Sequence, residues 1–115
     1  MTSLIKYRSS LRAANEARQL EWDPANQITL SYRGCELGGE AGEALNEIKK
    51  LERERMGMVG SRSTIEKLAE ELADVVICAD LIAMQVGIDL EEAIRDKFNA
   101  TSEKYGLHVR MVTTI

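Results

Sequence analysis

Two pairs of acidic residues are the feature of this chain best suited to chemistry. Glu40 and Glu43 form the first pair, and Glu71 and Asp74 form the second. The members of each pair are three positions apart, so on a helix both carboxylates point to the same side. Carboxylate oxygens from two neighbouring helices suit a hard divalent cation, Mg²⁺ or Mn²⁺. A cation held in this way is most useful for binding and cleaving a polyphosphate.

The first pair belongs to a longer acidic stripe. At 100° per residue, four glutamates fall within about 60° of one helical face; they are Glu36, Glu40, Glu43 and Glu47. Like charges at this spacing repel each other, and an ordinary solvated face would include lysine or arginine. The stripe borders the apolar side of the helix, so its partly buried acids need a cation. The alternative is a solvated face with poor charge pairing.

Breaking and capping signals divide the chain into the elements that must position these acids. They predict four helices, at about residues 3–22, 25–55, 63–86 and 90–105. Asp23 before Pro24 is expected to cap the second helix. Ser63 and Glu66 are expected to form a capping box for the third. Because no strand-like alternation is visible, we expect an all-α fold, a four-helix-type bundle with one domain over residues 1–115.

The composition excludes several classes of partner. The chain has 115 residues, of which 44% are apolar and 30% charged, with a net charge of −4. Because no basic stripe dominates it, a nucleic acid polymer is not the expected partner. The longest apolar run, residues 75–79, is far too short to span a membrane, and the N-terminus lacks a secretory pattern. We therefore expect a cytoplasmic protein with Cys35 and Cys78 reduced.

The third predicted helix suggests an assembly. Almost every position from 75 to 86 is apolar, and a helix that is apolar on nearly all sides must be surrounded by others. A subunit interface does this more naturally than one small bundle, so we expect a homo-oligomer, either a dimer or a tetramer. Asp80 lies within the apolar stretch and is expected to pair across that interface.

Beyond the acid pairs, the match to a known family extends over three blocks. The first is residues 39–44 (GEAGEA), the second is 70–76 (EELADVV), and the third is 87–94 (GIDLEEAI) together with 97–99 (KFN). In an all-helical chain of this length, they resemble the all-α nucleoside triphosphate pyrophosphohydrolases, and most of all the MazG-like branch. One difference is that Gly38 and Gly39 stand where family members more often carry leucine, glutamate or other helix formers.

The resemblance implies Mg²⁺-dependent hydrolysis of a nucleoside triphosphate, usually a deoxynucleotide, to the monophosphate and pyrophosphate. The family's metal ligands carry over onto Glu40, Glu43, Glu71 and Asp74. Either Glu40 or Glu43 would take the proton of the attacking water, and the sequence does not choose between them. Lys97 corresponds to the family's lysine, which would reach the phosphates or the neighbouring carboxylates.

The same resemblance implies that the first helix takes part in recognising the base. Asn15, Arg18 and Trp22 share one face of that helix, and Trp22 could stack on a base. The alternative for Trp22 is an anchor in the core or at an interface. Asn99 is a further candidate for contact with the sugar or the base.

Two other functions remain open at this point. The first is phosphoribosyl-ATP pyrophosphatase, which resembles this group in fold and acids but takes another substrate. The second is a non-catalytic helical module that binds a nucleotide or a protein. His108 is the only histidine and there is no Gly-x-x-x-x-Gly-Lys-Ser/Thr loop, which excludes histidine-based zinc hydrolases and P-loop ATPases.

Overall fold

The computed structural model describes residues 5–112, and the regular structure within that range is entirely helical. The four helices are α1 (Leu11–Trp22), α2 (Leu30–Arg55), α3 (Ile65–Val86) and α4 (Leu90–Lys104). No strand occurs between residues 5 and 112. The prediction of an all-α fold with four helices is confirmed.

The chain divides into two compact units. The first is Met1–Ile82 and holds α1, α2 and most of α3, whereas the second is Ala83–Ile115 and holds the end of α3 and all of α4. Both predicted acid pairs lie in the first unit. The candidate residues of α4 lie in the second.

The first helix begins later than the sequence predicts. Residues 3 and 4 of the predicted helix lie outside the described residues, and residues 5–10 are not helical. The Ser10 hydroxyl accepts a hydrogen bond from the backbone N–H of Ala13 at 3.1 Å, and α1 starts at Leu11. Serine side chains compete with a helix for backbone groups and favour its N-terminal cap. The predicted start at residue 3 is therefore wrong.

Asp23 does not cap α2 as expected. Its carboxylate accepts hydrogen bonds from the backbone N–H groups of Gln27 at 2.8 Å and Ile28 at 3.0 Å, which holds the segment between α1 and α2 in a loop. Asn26 has a φ of 53° there, in the left-handed region that interrupts a helix. Thr29 caps α2 instead, since its hydroxyl accepts from the N–H of Tyr32 at 3.1 Å. The predicted start near residue 25 is therefore wrong by five residues.

The start of α3 also differs in its capping. The Thr64 hydroxyl accepts a hydrogen bond from the backbone N–H of Lys67 at 3.1 Å. Thr64 therefore has the capping role that was expected of Ser63. The Ser63 hydroxyl donates instead to the carboxylate of Glu47 on α2. This hydrogen bond joins the segment just before α3 to α2, which helps to align the two helices that carry the acids.

Asp80 is paired within the chain and not across an interface. Arg12 of α1 donates to it, with an Nη2 to Oδ1 distance of 3.1 Å, and the Asn15 amide donates to its Oδ2 at 2.9 Å. Asp80 and Asn15 are both buried. A buried carboxylate needs partners of this kind, so the network fixes α1 against the side of α3 that lies about 180° from Glu71.

In the second unit, α4 has the ends that its sequence favours. The Asp89 carboxylate accepts from the N–H of Glu92 at 3.1 Å, and the helix ends before Gly106, whose φ is 65°. The Asn99 amide then binds the following segment in two places, because its Oδ1 accepts from the N–H of Met111 at 2.7 Å and its Nδ2 donates to the Met111 carbonyl at 2.9 Å. Asn99 therefore fixes the chain after α4.

Few apolar side chains of the described residues are fully buried. Ala44 and Leu81 are the buried apolar residues of the first unit, and Ala83 is the one in the second. Leu45, Leu72 and Val76 are all large apolar residues of α2 and α3 that remain about half exposed or more. Among the described helices, none combines the length and apolar character needed to cross a membrane.

Candidate functional site

Three of the four predicted ligands come together between α2 and α3. Glu40, Glu43 and Glu71 each offer a carboxylate oxygen, and these oxygens lie within 4.8 Å of one another. We call these three residues the acidic cluster. Glu40 and Glu43 share one face of α2 through their spacing, whereas Glu71 comes from α3. Carboxylates this close together cannot all remain charged without a cation or a proton.

Glu71 is the most deeply placed member of the cluster. Its exposed fraction is 7%, and its Oε2 atom has no hydrogen-bond partner among the described residues. Burial raises the pKa of Glu71, and a hydrogen bond with Glu43 and the charges of Glu43 and Asp74 raise it further, whereas the ammonium group of Lys67 lowers it. A buried acceptor without a partner is costly, so this carboxylate favours a bound cation or proton.

Glu40 is in a similar environment. It is half-buried, and its Oε2 atom also has no hydrogen-bond partner among residues 5–112. Burial raises the pKa of Glu40, followed by the charges of Asp74, Glu71 and Glu36. Asp74 is exposed and is not one of the three residues that meet within 4.8 Å. Its charge nevertheless acts on both Glu40 and Glu71, which places it beside the acidic cluster.

These residues fit a hard divalent cation. The donors are all carboxylate oxygens, which Mg²⁺ and Mn²⁺ prefer. Two of the oxygens are buried with no hydrogen-bond partner among residues 5–112, and the negative charges of the cluster repel one another. A divalent cation would satisfy the unpaired oxygens and remove the repulsion. Glu40, Glu43 and Glu71 would hold it, with Asp74 at the edge.

The acidic stripe of α2 divides into two parts with different partners. Glu47 is buried, but it accepts a hydrogen bond from the Ser63 hydroxyl and pairs with Lys50 Nζ at 3.3 Å. The hydrogen bond from Ser63 and the interactions with Lys50 lower the pKa of Glu47, although burial acts in the opposite direction. Glu47 is therefore a satisfied carboxylate that helps to align α2 with α3. Its part in this alignment was missed from the sequence, because nothing local identifies Ser63 as its partner.

Cys78 is a second residue whose surroundings the sequence did not reveal. It is half-buried on α3. Burial raises the pKa of its thiol, and the charges of Glu36, Glu40 and Asp74 raise it further. Cys78 therefore lies near the acids as an unionised thiol. Its position four residues after Asp74, one turn along the same face, was the available signal.

Two of the three base-recognition candidates of α1, Asn15 and Arg18, line a cavity. The cavity is about 350 Å³ in volume, and Arg18, Lys6 and Arg8 contribute cations to its lining, with Leu11 and Ile77 among its apolar residues. Glu21 adds a carboxylate to these cations, so the lining carries charges of both signs beside its apolar part. Its assignment to the substrate stays a prediction.

The individual residues of this face have different surroundings. Trp22 is exposed and stacks with Arg18, whose guanidinium carbon lies 4.8 Å from the centre of the indole ring. This is within the range of a cation–π interaction. Asn15 is buried, and its amide donates to Asp80 and to the Ile77 carbonyl. Asn15 therefore joins α1 to α3, which leaves Arg18 and Trp22 as the accessible candidates.

Lys97 and Asn99 lie on α4, in the second unit. Lys97 is exposed, and Asn99 is half-buried with its amide hydrogen-bonded to the backbone of Met111. The contact seen for Asn99 is structural. The assignments of Lys97 and Asn99 to substrate binding stay predictions.

The sequence of this chain matches a known protein family. The model of the MazG-like family matches residues 40–111, which is more than half of the chain. No curated protein and no solved structure matches this chain. The matched segment begins at Glu40 and includes the complete acidic cluster, Asp74 and Lys97. The chain therefore belongs to the MazG-like family.

Proposed function

We propose that this protein is a Mg²⁺-dependent nucleotide pyrophosphohydrolase. It would cleave a nucleoside triphosphate, most often a deoxynucleotide, between the α and β phosphates to give the monophosphate and pyrophosphate. Membership of the MazG-like family favours an activity of the nucleotide pyrophosphohydrolase type. Mn²⁺ is a second cation that the same carboxylates suit.

The observation that carries the proposal is the acidic cluster itself. Its three carboxylates meet within 4.8 Å, and two of their oxygens are buried without a partner. This arrangement is destabilising for a protein that does not use it. A bound Mg²⁺ would neutralise triphosphate oxygens and polarise the α–β linkage towards attack by water.

The side chains of the site would have separate roles in positioning, proton transfer and substrate contact. Glu71, which is buried and held close to Glu43, would fix the position of the cluster on the α3 side. Glu40 or Glu43 would take the proton of the attacking water. Glu43 is exposed and therefore reachable from solvent, whereas Glu40 is half-buried. Arg18, Trp22, Lys97 and Asn99 would contact the substrate.

The first experiment is a reaction of the purified protein with each common nucleoside and deoxynucleoside triphosphate. Released pyrophosphate is measured in the presence of Mg²⁺ and, as a control, in EDTA. We expect metal-dependent formation of the monophosphate and pyrophosphate. Release of orthophosphate with the diphosphate would show that another bond is cleaved, and the proposal would be wrong.

Variants then test whether the acids carry the reaction. Glu43→Gln and Asp74→Asn should each lower kcat by about two to four orders of magnitude with little change in the circular dichroism spectrum. Glu54→Gln is the matched control, since Glu54 is an exposed glutamate at the far end of α2. Full activity in both site variants would contradict the proposal.

The other candidate functions are outcomes of the same experiment. Activity on phosphoribosyl-ATP alone would identify the pyrophosphatase of that substrate. Binding of nucleotide without turnover by the folded, Mg²⁺-supplied protein would identify a non-catalytic module. Either result would overturn the proposed reaction on nucleoside triphosphates.

A further inference from the structure

We propose that the ammonium group of Lys67 is a counter-cation of the acidic cluster. It neutralises Glu71 in the metal-free protein, and it moves from Glu71 to Glu70 when a divalent cation binds. The inference rests on the proposed metal site. It concerns the affinity of that site for its cation, and it gives Lys67 a role separate from the ligands.

The contacts of Lys67 place its ammonium group between two acids. Its Nζ lies 3.6 Å from Oε1 of Glu71 and 3.7 Å from Oε2 of Glu70. Glu71 is buried and belongs to the cluster, whereas the side chain of Glu70 is 71% exposed. The ammonium group therefore has one partner inside the site and a second one in solvent.

The charges around Glu71 show why this cation matters. The causes that raise the pKa of Glu71 include burial and the charges of Glu43 and Asp74, and Lys67 is the charged group that lowers it. Lys50 of α2 pairs with Glu47 at 3.3 Å instead. Among the interactions described for Glu71, Lys67 is thus the positively charged group that offsets the negative charge of the cluster.

A divalent cation would change this balance. The unpartnered Oε2 of Glu71 is available to it, but the cation would then lie close to the ammonium group on Oε1 of the same carboxylate. Two positive charges at such a distance repel each other. The side chain of Lys67 is 52% exposed, so it can turn towards Glu70 without being buried or losing an acidic partner. Lys67 would therefore stabilise the empty site and weaken cation binding.

The expected effect is modest, because an exposed lysine is screened by water and salt. Replacing Lys67 with a neutral residue should tighten divalent-cation binding by about two- to fivefold. The difference should shrink as KCl is added. A residue that merely supported the fold would have the opposite effect, since its loss would loosen the site.

The experiment is titration calorimetry of Mn²⁺ into the metal-free full-length protein. The variants are Lys67→Gln and Lys67→Met, which remove the charge, and Lys67→Arg, which keeps it. Lys49→Gln is the matched control, because it removes one exposed lysine charge from the side of α2 about 140° away from Glu36. Thermal unfolding in EDTA is measured for each protein.

We expect tighter Mn²⁺ binding in Lys67→Gln and Lys67→Met, and affinities near that of the unchanged protein in Lys67→Arg and Lys49→Gln. Both neutral variants should also unfold at a lower temperature in EDTA. Unchanged or weaker Mn²⁺ binding in the two neutral variants would overturn the inference and leave the proposed function standing. If the unchanged protein binds no Mn²⁺, both the inference and the metal-dependent function are wrong. Equal tightening in Lys49→Gln would overturn the inference by showing a general charge effect.

Discussion

Glu71 combines burial with an unpaired oxygen, and this makes a prediction at the scale of one residue. Glu71→Gln replaces a buried carboxylate by a neutral side chain of the same size, which removes the repulsion from Glu43 and Asp74. The metal-free variant should unfold several degrees above the unchanged protein. Differential scanning calorimetry in EDTA measures this.

The same variant should lose its response to the cation. Mg²⁺ binds the folded state and raises its unfolding temperature, but glutamine is a poorer ligand than carboxylate. We expect Mg²⁺ to raise the unfolding temperature of the unchanged protein much more than that of Glu71→Gln. Glu54→Gln again serves as the control. An equal rise in both proteins would contradict a metal site at Glu71.

A second prediction at this scale concerns Asp23. Hydrogen bonds from the N–H groups of Gln27 and Ile28 lower the pKa of Asp23, outweighing its burial. A carboxyl group whose pKa is lower in the folded state stabilises the fold above its unfolded pKa, about 4. This stabilisation is lost as the pH falls through the folded value.

Asp23→Asn should therefore be less stable than the unchanged protein at neutral pH, and the difference should diminish below about pH 4. Urea unfolding at a series of pH values measures this. Cys35 is exposed, so a reductant should be present throughout. A difference that stays constant down to the lowest pH would show that the ionised form of Asp23 is not what matters.

At the scale of elements, α2 carries glycines at 34, 38, 39 and 42 where a helix would ordinarily avoid them. A methyl group added at any of these positions would meet no described atom within 4 Å apart from its own chain neighbours and helix backbone. Gly34, Gly38 and Gly42 form a stripe of small residues along one side of α2, which would let another helix approach closely or make room for a base. Within the first unit, the described residues leave open space beside these glycines.

Gly38→Ala tests whether the stripe is used. In the isolated chain this substitution should stabilise the protein by about 0.8–1 kcal/mol, since alanine favours a helix interior over glycine. Chemical unfolding measures the change, and Glu54→Gln gives the reference for a neutral surface substitution. A loss of stability would indicate that a second subunit or a ligand packs closely against α2.

At the scale of the whole molecule, we propose that the protein forms a homo-oligomer. Large apolar side chains of α2 and α3 are exposed, such as Leu45 at 65% and Val76 at 54%, while few apolar residues of the described chain are fully buried. An apolar surface of this kind is typical of a subunit interface. The expected assembly is a dimer or a tetramer.

Val76→Glu should shift that assembly towards the monomer, because it places a charge on the exposed apolar side of α3. Light scattering over a range of concentrations measures the mass. Val59→Glu is the matched control, since Val59 is 97% exposed in the loop after α2. A monomer at every concentration in the unchanged protein would show that the proposal is wrong.

Much of the fold could be predicted because its signals are local. The end of α3 follows from Gly87 and the start of α4 from Asp89, and both acid pairs lie on helices as their spacing required. The starts of α1 and α2 were missed because capping depends on which polar side chain accepts hydrogen bonds from the first backbone N–H groups of the helix. Ser10 and Thr29 accept them here, whereas Asp23 accepts hydrogen bonds from loop residues.

The sequence by itself determined the fold class, the two acid pairs and the resemblance to a family, since residue type and helical spacing are properties of short segments. Tertiary structure decided which acids meet. It placed Glu71 beside Glu40 and Glu43. It also placed the Ser63 hydroxyl where it donates a hydrogen bond to Glu47, and it paired Asp80 with Arg12 inside the chain. These choices depend on how one helix is aligned against another, and contacts between residues far apart in the chain set that alignment.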